Sequence, residues 1–250
     1  RETVARWMPK NRVVGVVGSA FLGLAFPMCE CGIVPVVRRL VLKGVPVGCA
    51  ITYMLAAPIV HPLVILSTLI AFRGQGALGT TILRVALGAV TAIGIGLIMA
   101  FLAGQDGILL PSIRAGLARE EDGEDPDRER SLPRKLLAAL QTSGEDFVGF
   151  SVFLVAGTAA AALINSGFSR AAIAPIAEHR VLSVAAFMGL AVLLNVCSEA
   201  DAFIAASFRT FTLAAKLAFL VLGPMLDIKL IFMFTAVFRK RAIVVLCLLM

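Results

Sequence analysis

The sequence predicts an all-α membrane protein: a polytopic transmembrane helical bundle built from two repeated, inverted halves with broken or re-entrant helices. Three observations carry that expectation. Hydrophobic residues make up 59% of the 250 and charged residues 16%, with a mean hydropathy of +0.94, far from the roughly 45–50% apolar and 25% charged of soluble domains. Apolar stretches close to the ~20 residues that a spanning helix needs recur along the chain. Two further stretches are interrupted by sulfur and charge, and the two halves of the chain match one another.

The first interrupted stretch, 13 to 43, carries Pro27-Met28-Cys29-Glu30-Cys31-Gly32 directly behind the apolar run from Val13 to Phe26. Pro27 and Pro35 have no backbone donor and Gly32 no Cβ, so a broken helix is expected through this segment. Non-helical backbone at membrane depth survives only where protein or a water-filled cavity satisfies it, and many transporters build substrate sites that way. A carboxylate and two thiols at that depth mark a functional site.

Apolar stretches follow at about 46 to 72, 80 to 103, 147 to 168 and 211 to 238. The first is broken near its middle by Pro58-Ile59-Val60-His61-Pro62, the last by Pro224-Met225-Leu226-Asp227. The second interrupted stretch, 181 to 208, holds Asn195-Val196-Cys197-Ser198-Glu199-Ala200-Asp201. Residues 104 to 146 differ: Glu120 to Arg130 is nearly all charge with Gly and Pro, which reads as a solvated loop. The chain thus divides into a first membrane repeat, 1–103, a polar cytoplasmic loop, 104–146, and a second membrane repeat, 147–250. No small-residue cleavage pattern follows the basic Arg1 to Arg12. The apolar run from Ala242 continues to Met250, as expected of a fragment of a longer protein.

The halves align without a gap at an offset of 166 positions. Phe21-Leu22-Gly23-Leu24-Ala25 meets Phe187-Met188-Gly189-Leu190-Ala191, Cys31 meets Cys197, Lys43 meets Arg209, Pro58 meets Pro224, His61 meets Asp227, and Phe72-Arg73 meets Phe238-Arg239. Corresponding interruptions in two halves are the best sequence pointer to a transporter's binding site. If each interrupted stretch is a re-entrant hairpin, the second half is inverted. Arg1, Arg6, Lys10, Arg12, Arg38, Arg39, Lys43, the basic residues of the central loop and Arg239-Lys240-Arg241 then share one face. The positive-inside rule favours that layout, with the loop cytoplasmic.

The net charge of +7 follows from the same topology, and no basic stripe interleaved with aromatics points to nucleic acid. Five cysteines, at 29, 31, 49, 197 and 247, form no secreted disulfide framework. Cys49 and Cys247 have no polar neighbours and read as small buried hydrophobes. Cys29 and Cys31 flank Glu30, and with Cys197, Glu199 and Asp201 they supply soft sulfur and hard oxygen. Thiolates select soft or borderline ions: zinc, Cu(I) and, by the same logic, trivalent arsenic. His61 and its counterpart Asp227 are groups able to bind a cation or exchange protons. Lys229 is placed either to neutralise Asp227 or to snorkel. Glu199 and Asp201, two apart, would diverge on a helix but converge on one cavity in an unwound stretch. Asn195 and Ser198 are neutral ligands or helix caps, and His179, between Glu178 and Arg180, reads as solvated.

At Cys29-Glu30-Cys31-Gly32 with Pro35, Arg38-Arg39 and Lys43-Gly44, at Cys197-Ser198-Glu199-Ala200-Asp201-Ala202-Phe203-Ile204-Ala205, and at Gly223-Pro224-Met225-Leu226-Asp227, the chain resembles the predicted permease family that includes the organoarsenical efflux permease ArsP and YraQ-type permeases. The likeness covers nearly all of the chain except the central loop. It implies a multi-pass inner (plasma) membrane permease of two related halves, with Cys29, Cys31 and Cys197 as thiol ligands in the manner of members that export trivalent organoarsenicals. Two departures stand out: Ala57-Pro58 where many members have Ser or Thr before the proline, and His61, which the arsenical exporters do not share.

The resulting expectation is a secondary permease, not an enzyme, moving a small inorganic or organometalloid solute across the lipid bilayer without a cofactor. Efflux of trivalent arsenic or organoarsenical species comes first. The substrate-binding set is Cys29, Glu30, Cys31, His61, Cys197, Glu199, Asp201 and Asp227, the acids and His61 serving as coordinating or proton-coupling groups. The alternative is a zinc or other divalent-cation transporter with Cys29, Cys31, His61 and Cys197 as metal ligands. A membrane thiol-disulfide oxidoreductase cycling Cys29 and Cys31 is the competing class. No Gly-x-x-x-x-Gly-Lys-Ser/Thr loop is present, so the chain does not itself hydrolyse ATP. A homo-oligomer is compatible with all of these readings.

Overall fold

The computed structural model describes residues 11–26, 28–102, 109–110, 180–194, 196–208 and 211–250, with a few single turns between 144 and 163. The side chains of Cys31 and Arg180 are outside that set. So are Arg1, Arg6, Lys10, Pro27, His179, Asn195, Arg209, nearly all of the 104–146 loop and most of the 147–168 stretch.

The described residues form helices: α1 Arg12–Ala25, α2 Glu30–Leu42, α3 Val47–Val60, α4 Pro62–Ala71, α5 Ala77–Leu102, α6 Arg180–Leu194, α7 Ser198–Ser207, α8 Leu213–Leu222, α9 Ile228–Phe234 and α10 Lys240–Leu249. No strand occurs among them, only one isolated antiparallel bridge between Leu109 and Phe238. Among the described residues two stretches are long and apolar enough to cross a membrane: Val47–Ala71, which is α3 with α4, and Ala77–Leu102, which is α5. Leu78, Ile82, Leu87, Val90 and Phe101 of α5 face outward, as expected of a helix whose outer face meets lipid tails.

Both interruptions are helix breaks. The first falls between Ala25 and Glu30, the second between Leu194 and Ser198. Pro35 does not contribute, contrary to the sequence expectation: it lies inside α2. A proline one turn into a helix forfeits a single bond, here the one to the Cys31 carbonyl, near an end that is already short of partners. Pro58 is likewise inside α3, and the break comes at His61, with Pro62 as the first residue of α4, where its missing N–H leaves nothing unpaired. In the second half α8 ends at Leu222, and Asp227 precedes α9.

α3 is the axis of the first half. Every residue from Gly48 to Val60 is buried, and α1, α2 and α5 all pack along it. Small residues let the backbones close up. A Cβ on Gly48 would stand 2.5 Å from Ala100 Cβ, one on Gly88 2.7 Å from Ile59, and one on Gly23 2.5 Å from Ala57 Cα. Gly48 meets the end of α5 and Ile59 its first half, so α3 and α5 are antiparallel. Because α2 reaches α3 through only Lys43 to Pro46 and packs along it, it runs opposite to α3. The chain therefore turns back at the break after α1.

The second half packs in the same manner, with α6 and α7 against α8. Phe187, Phe211 and Phe219 form its centre, with Phe187 and Phe211 centroids 4.3 Å apart, and Phe72 joins them from the first half. The halves also exchange partners: α4 packs on α7, and α9 on α2.

Gly48→Val is expected to lower stability by about 1–3 kcal/mol, because the added methyls meet Gly96 and Ala100 with no room to move. Gly94→Ala, with nothing near its Cβ, is expected to cost nothing. Thermal unfolding of the two purified variants in detergent checks both.

Candidate functional site

α2 starts after Cys29 and α7 after Cys197, and both residues are extended N-caps without a side-chain capping bond. The two helix starts meet. The Ser198 N–H donates to Glu30 Oε1 at 2.9 Å, which puts the Glu30 carboxylate of the first half on the positive end of α7 in the second. Lys229 Nζ lies 3.4 Å from the other oxygen of Glu30 and 3.1 Å from Asp227 Oδ2. Asp227 in turn caps α9, its Oδ1 accepting from the Leu230 N–H. The alternative that Lys229 neutralises Asp227 therefore holds, and Glu30 shares it.

Arg84 completes the cluster. It stands on α5 and is 1% exposed, donating to Thr68 Oγ1 at 2.7 Å and to the Ser198 carbonyl at 3.1 Å. Sequence reasoning passed over it. The signal was available: Arg84 is the single charged residue in the apolar stretch 80 to 103, and an ionisable residue at that depth is a site candidate by default.

Glu199 and Asp201 do not share an unwound stretch, as one reading expected. They lie in the first turn of α7, where ~100° per residue separates them. Asp201 is buried, while Glu199 is partly exposed and accepts from the Cys197 thiol. The Cys29 and Cys197 thiols are exposed. Sequence register pairs Cys31 with Cys197, whereas the fold gives Cys29 the place at the head of α2 that Cys197 takes at the head of α7.

His61 and Asp227, matched in the sequence, do matching work as N-caps. His61 Nδ1 accepts from the Leu63 N–H at 3.1 Å. That bond turns the imidazole to its own helix. Among the described residues no three His, Cys, Asp or Glu side chains come close enough to hold one metal ion; of the expected ligands Cys29, Cys31, His61 and Cys197, the Cys31 side chain lies outside the described residues.

Lys229→Met leaves Glu30 and Asp227 buried without the cation that pairs with both. A loss of about 3–5 kcal/mol is expected, with partial recovery when Asp227→Asn is added, because asparagine still caps α9. Thermal unfolding of the single and double variants measures both.

A family model described as a predicted permease matches residues 1–250. The chain is 38% identical over 241 residues to the UPF0718 protein YcgR of Bacillus subtilis (strain 168), covering 96% of this chain and 79% of that protein. It is 31% identical over 243 residues to a Streptococcus mutans protein named as a candidate two-component membrane permease complex subunit, covering 97% of this chain and 78% of that one. No solved structure matches. Matched from end to end by the family model and over almost its whole length by both relatives, the chain belongs to the ArsP_1 family of predicted permeases.

Proposed function

We propose that this protein is a multi-pass permease of the inner or plasma membrane that exports a small thiophilic solute, trivalent arsenic or an organoarsenical first among them. One observation carries the reading: two broken helices, one from each half, start against each other, and each start presents an exposed cysteine, Cys29 and Cys197. Thiols so placed meet a soft electrophilic cargo without first being uncovered. Cys31, in the first turn of α2, is the third thiol of the set. Glu30, Asp201 and Asp227 lie beneath them as proton-coupling groups, and Glu199 joins them through Cys197.

The two-half, inverted layout is supported by the exchange of partners between halves, α4 on α7 and α9 on α2, and by the paired caps His61 and Asp227. The turn-back after α1 favours a re-entrant hairpin over a crossing helix. A zinc or divalent-cation transporter would need a free imidazole nitrogen of His61 for the metal, and Nδ1 is engaged with the Leu63 N–H. Transport by a permease of this kind needs no cofactor. Self-association and an additional subunit, the latter named for the Streptococcus mutans relative, both fit this reading.

Proteoliposomes loaded with a trivalent organoarsenical, arsenite, zinc or a neutral control test it. Cys29→Ser, Cys31→Ser and Cys197→Ser are each expected to cut arsenical flux at least ~10-fold, the effect of losing one good ligand bond of ~1.4 kcal/mol or more. Zinc flux should stay at background in every variant. Arsenical transport that persists at the wild-type rate in all three serine variants removes the thiols from the site.

A further inference from the structure

Asp201 is 2% exposed, yet its Oδ2 has no hydrogen-bond partner among the described residues. It is pressed against the end of α8. A Cβ placed on Gly223, the residue that closes that helix, would lie 2.9 Å from Oδ2 and 3.0 Å from the Phe219 carbonyl. The C-terminus of a helix carries roughly half a negative elementary charge on its last carbonyls. Two of those carbonyls lack their usual donors: Pro224 has no N–H to give Leu220, and the N–H groups of Met225 and Leu226 both go to Leu222. Leu220 is fully buried. A carboxylate and a negative helix end thus share one dry corner, which nothing uncharged stabilises.

The neighbouring charges do not settle the matter. Glu30, Arg84, Asp227 and Lys229 act on Asp201 electrostatically. Arg84 donates to Thr68 and the Ser198 carbonyl while its Nε makes no hydrogen bond, Lys229 pairs with Glu30 and Asp227, and neither makes an ion pair with Asp201. Within this cluster three buried carboxylates, Glu30, Asp201 and Asp227, stand against two buried cations, Arg84 and Lys229; the third buried cation, Lys216, is turned to Gln75 and the Phe72 ring and is not among the charges that act on Asp201. One negative charge is left over, and the carboxylate oxygen without a partner or an ion pair belongs to Asp201.

We propose that Asp201 Oδ2 and the carbonyl end of α8 beside Gly223 form a binding site for one monovalent cation, which moves in step with the cargo. A single positive charge balances the cluster, whereas a divalent ion would overshoot it. Hard carboxylate and carbonyl oxygens at an interrupted helix are a coupling-ion chemistry, met by sodium or by a proton. The coupling rests on the permease reading above; the binding does not.

The test follows thermal unfolding of the purified full chain in detergent, with no arsenical present. Sodium chloride replaces choline chloride at constant ionic strength, at neutral and at mildly acidic pH. Sodium at ten times its dissociation constant is expected to raise the midpoint by about 3–6 °C, saturably. Asp201→Asn keeps the shape, removes the charge and should abolish the response. Gly223→Ala is a second route to the same answer, because Gly223 sits at φ −49° and ψ −56°, which alanine adopts freely, and the added methyl fills the corner. It should weaken the response even if Asp201→Asn does not fold. A shift with acid but not with sodium, lost in the variants, identifies the cation as a proton. Responses that are absent from the wild type, or unchanged in both variants, overturn the site. A cation response that persists in a protein without arsenical flux defeats the permease reading and leaves this one standing.

Discussion

The Glu30 carboxylate joins the two halves of this protein. One oxygen takes the first N–H of α7 and the other faces Lys229, so a residue at the head of α2 in the first half is held entirely by the second. A buried carboxylate can be kept only where its hydrogen bonds and counter-charge are supplied together, which fixes how the two helix starts approach. Arg84 makes the reciprocal link, reaching from α5 to the Ser198 carbonyl. The helix starts that carry Cys29 and Cys197 owe their approach to these bonds.

This arrangement needs a stiff frame, and the hydrophobic effect does not supply one between helices in lipid. Close packing does. Gly23, Gly48, Gly88 and Gly96 bring α1, α3 and α5 within reach of backbone contact, and the Thr52 hydroxyl is tied back to the Gly48 carbonyl at 2.8 Å so that it does not meet α5 unpaired. The breaks at His61 and Asp227 are closed in a similar way. Each side chain satisfies the first turn of the helix that follows, which makes a helix interruption tolerable inside a membrane.

Much of this was readable from residue order. The composition, the apolar stretches and the two interruptions gave the helices and their breaks, because a missing N–H or a charged side chain acts locally wherever it stands. The pairing of His61 with Asp227 was visible for the same reason. Arg84 was equally visible, as a lone charge in an otherwise apolar span, but it belongs to no motif and its partners, Thr68 and Ser198, meet it only in the fold. Pro35 misled, because a proline's cost depends on which turn of the helix it occupies, and that position is known only once the helix start is known.

By itself the sequence determined that this is a helical membrane protein in which each half has a break that carries sulfur and carboxylate. Only the tertiary structure decided which of those groups meet. Asp201 turns inward and Glu199 outward because α7 begins at Ser198, and Cys29 rather than Cys31 heads α2 because that helix begins at Glu30. A helix turns its side chains by about 100° per residue, so a shift of one or two positions in its starting point redirects every group on it. The two starts are tied to each other by the bond between Glu30 and Ser198, which lie 168 residues apart in the chain, a distance over which no local pattern carries information.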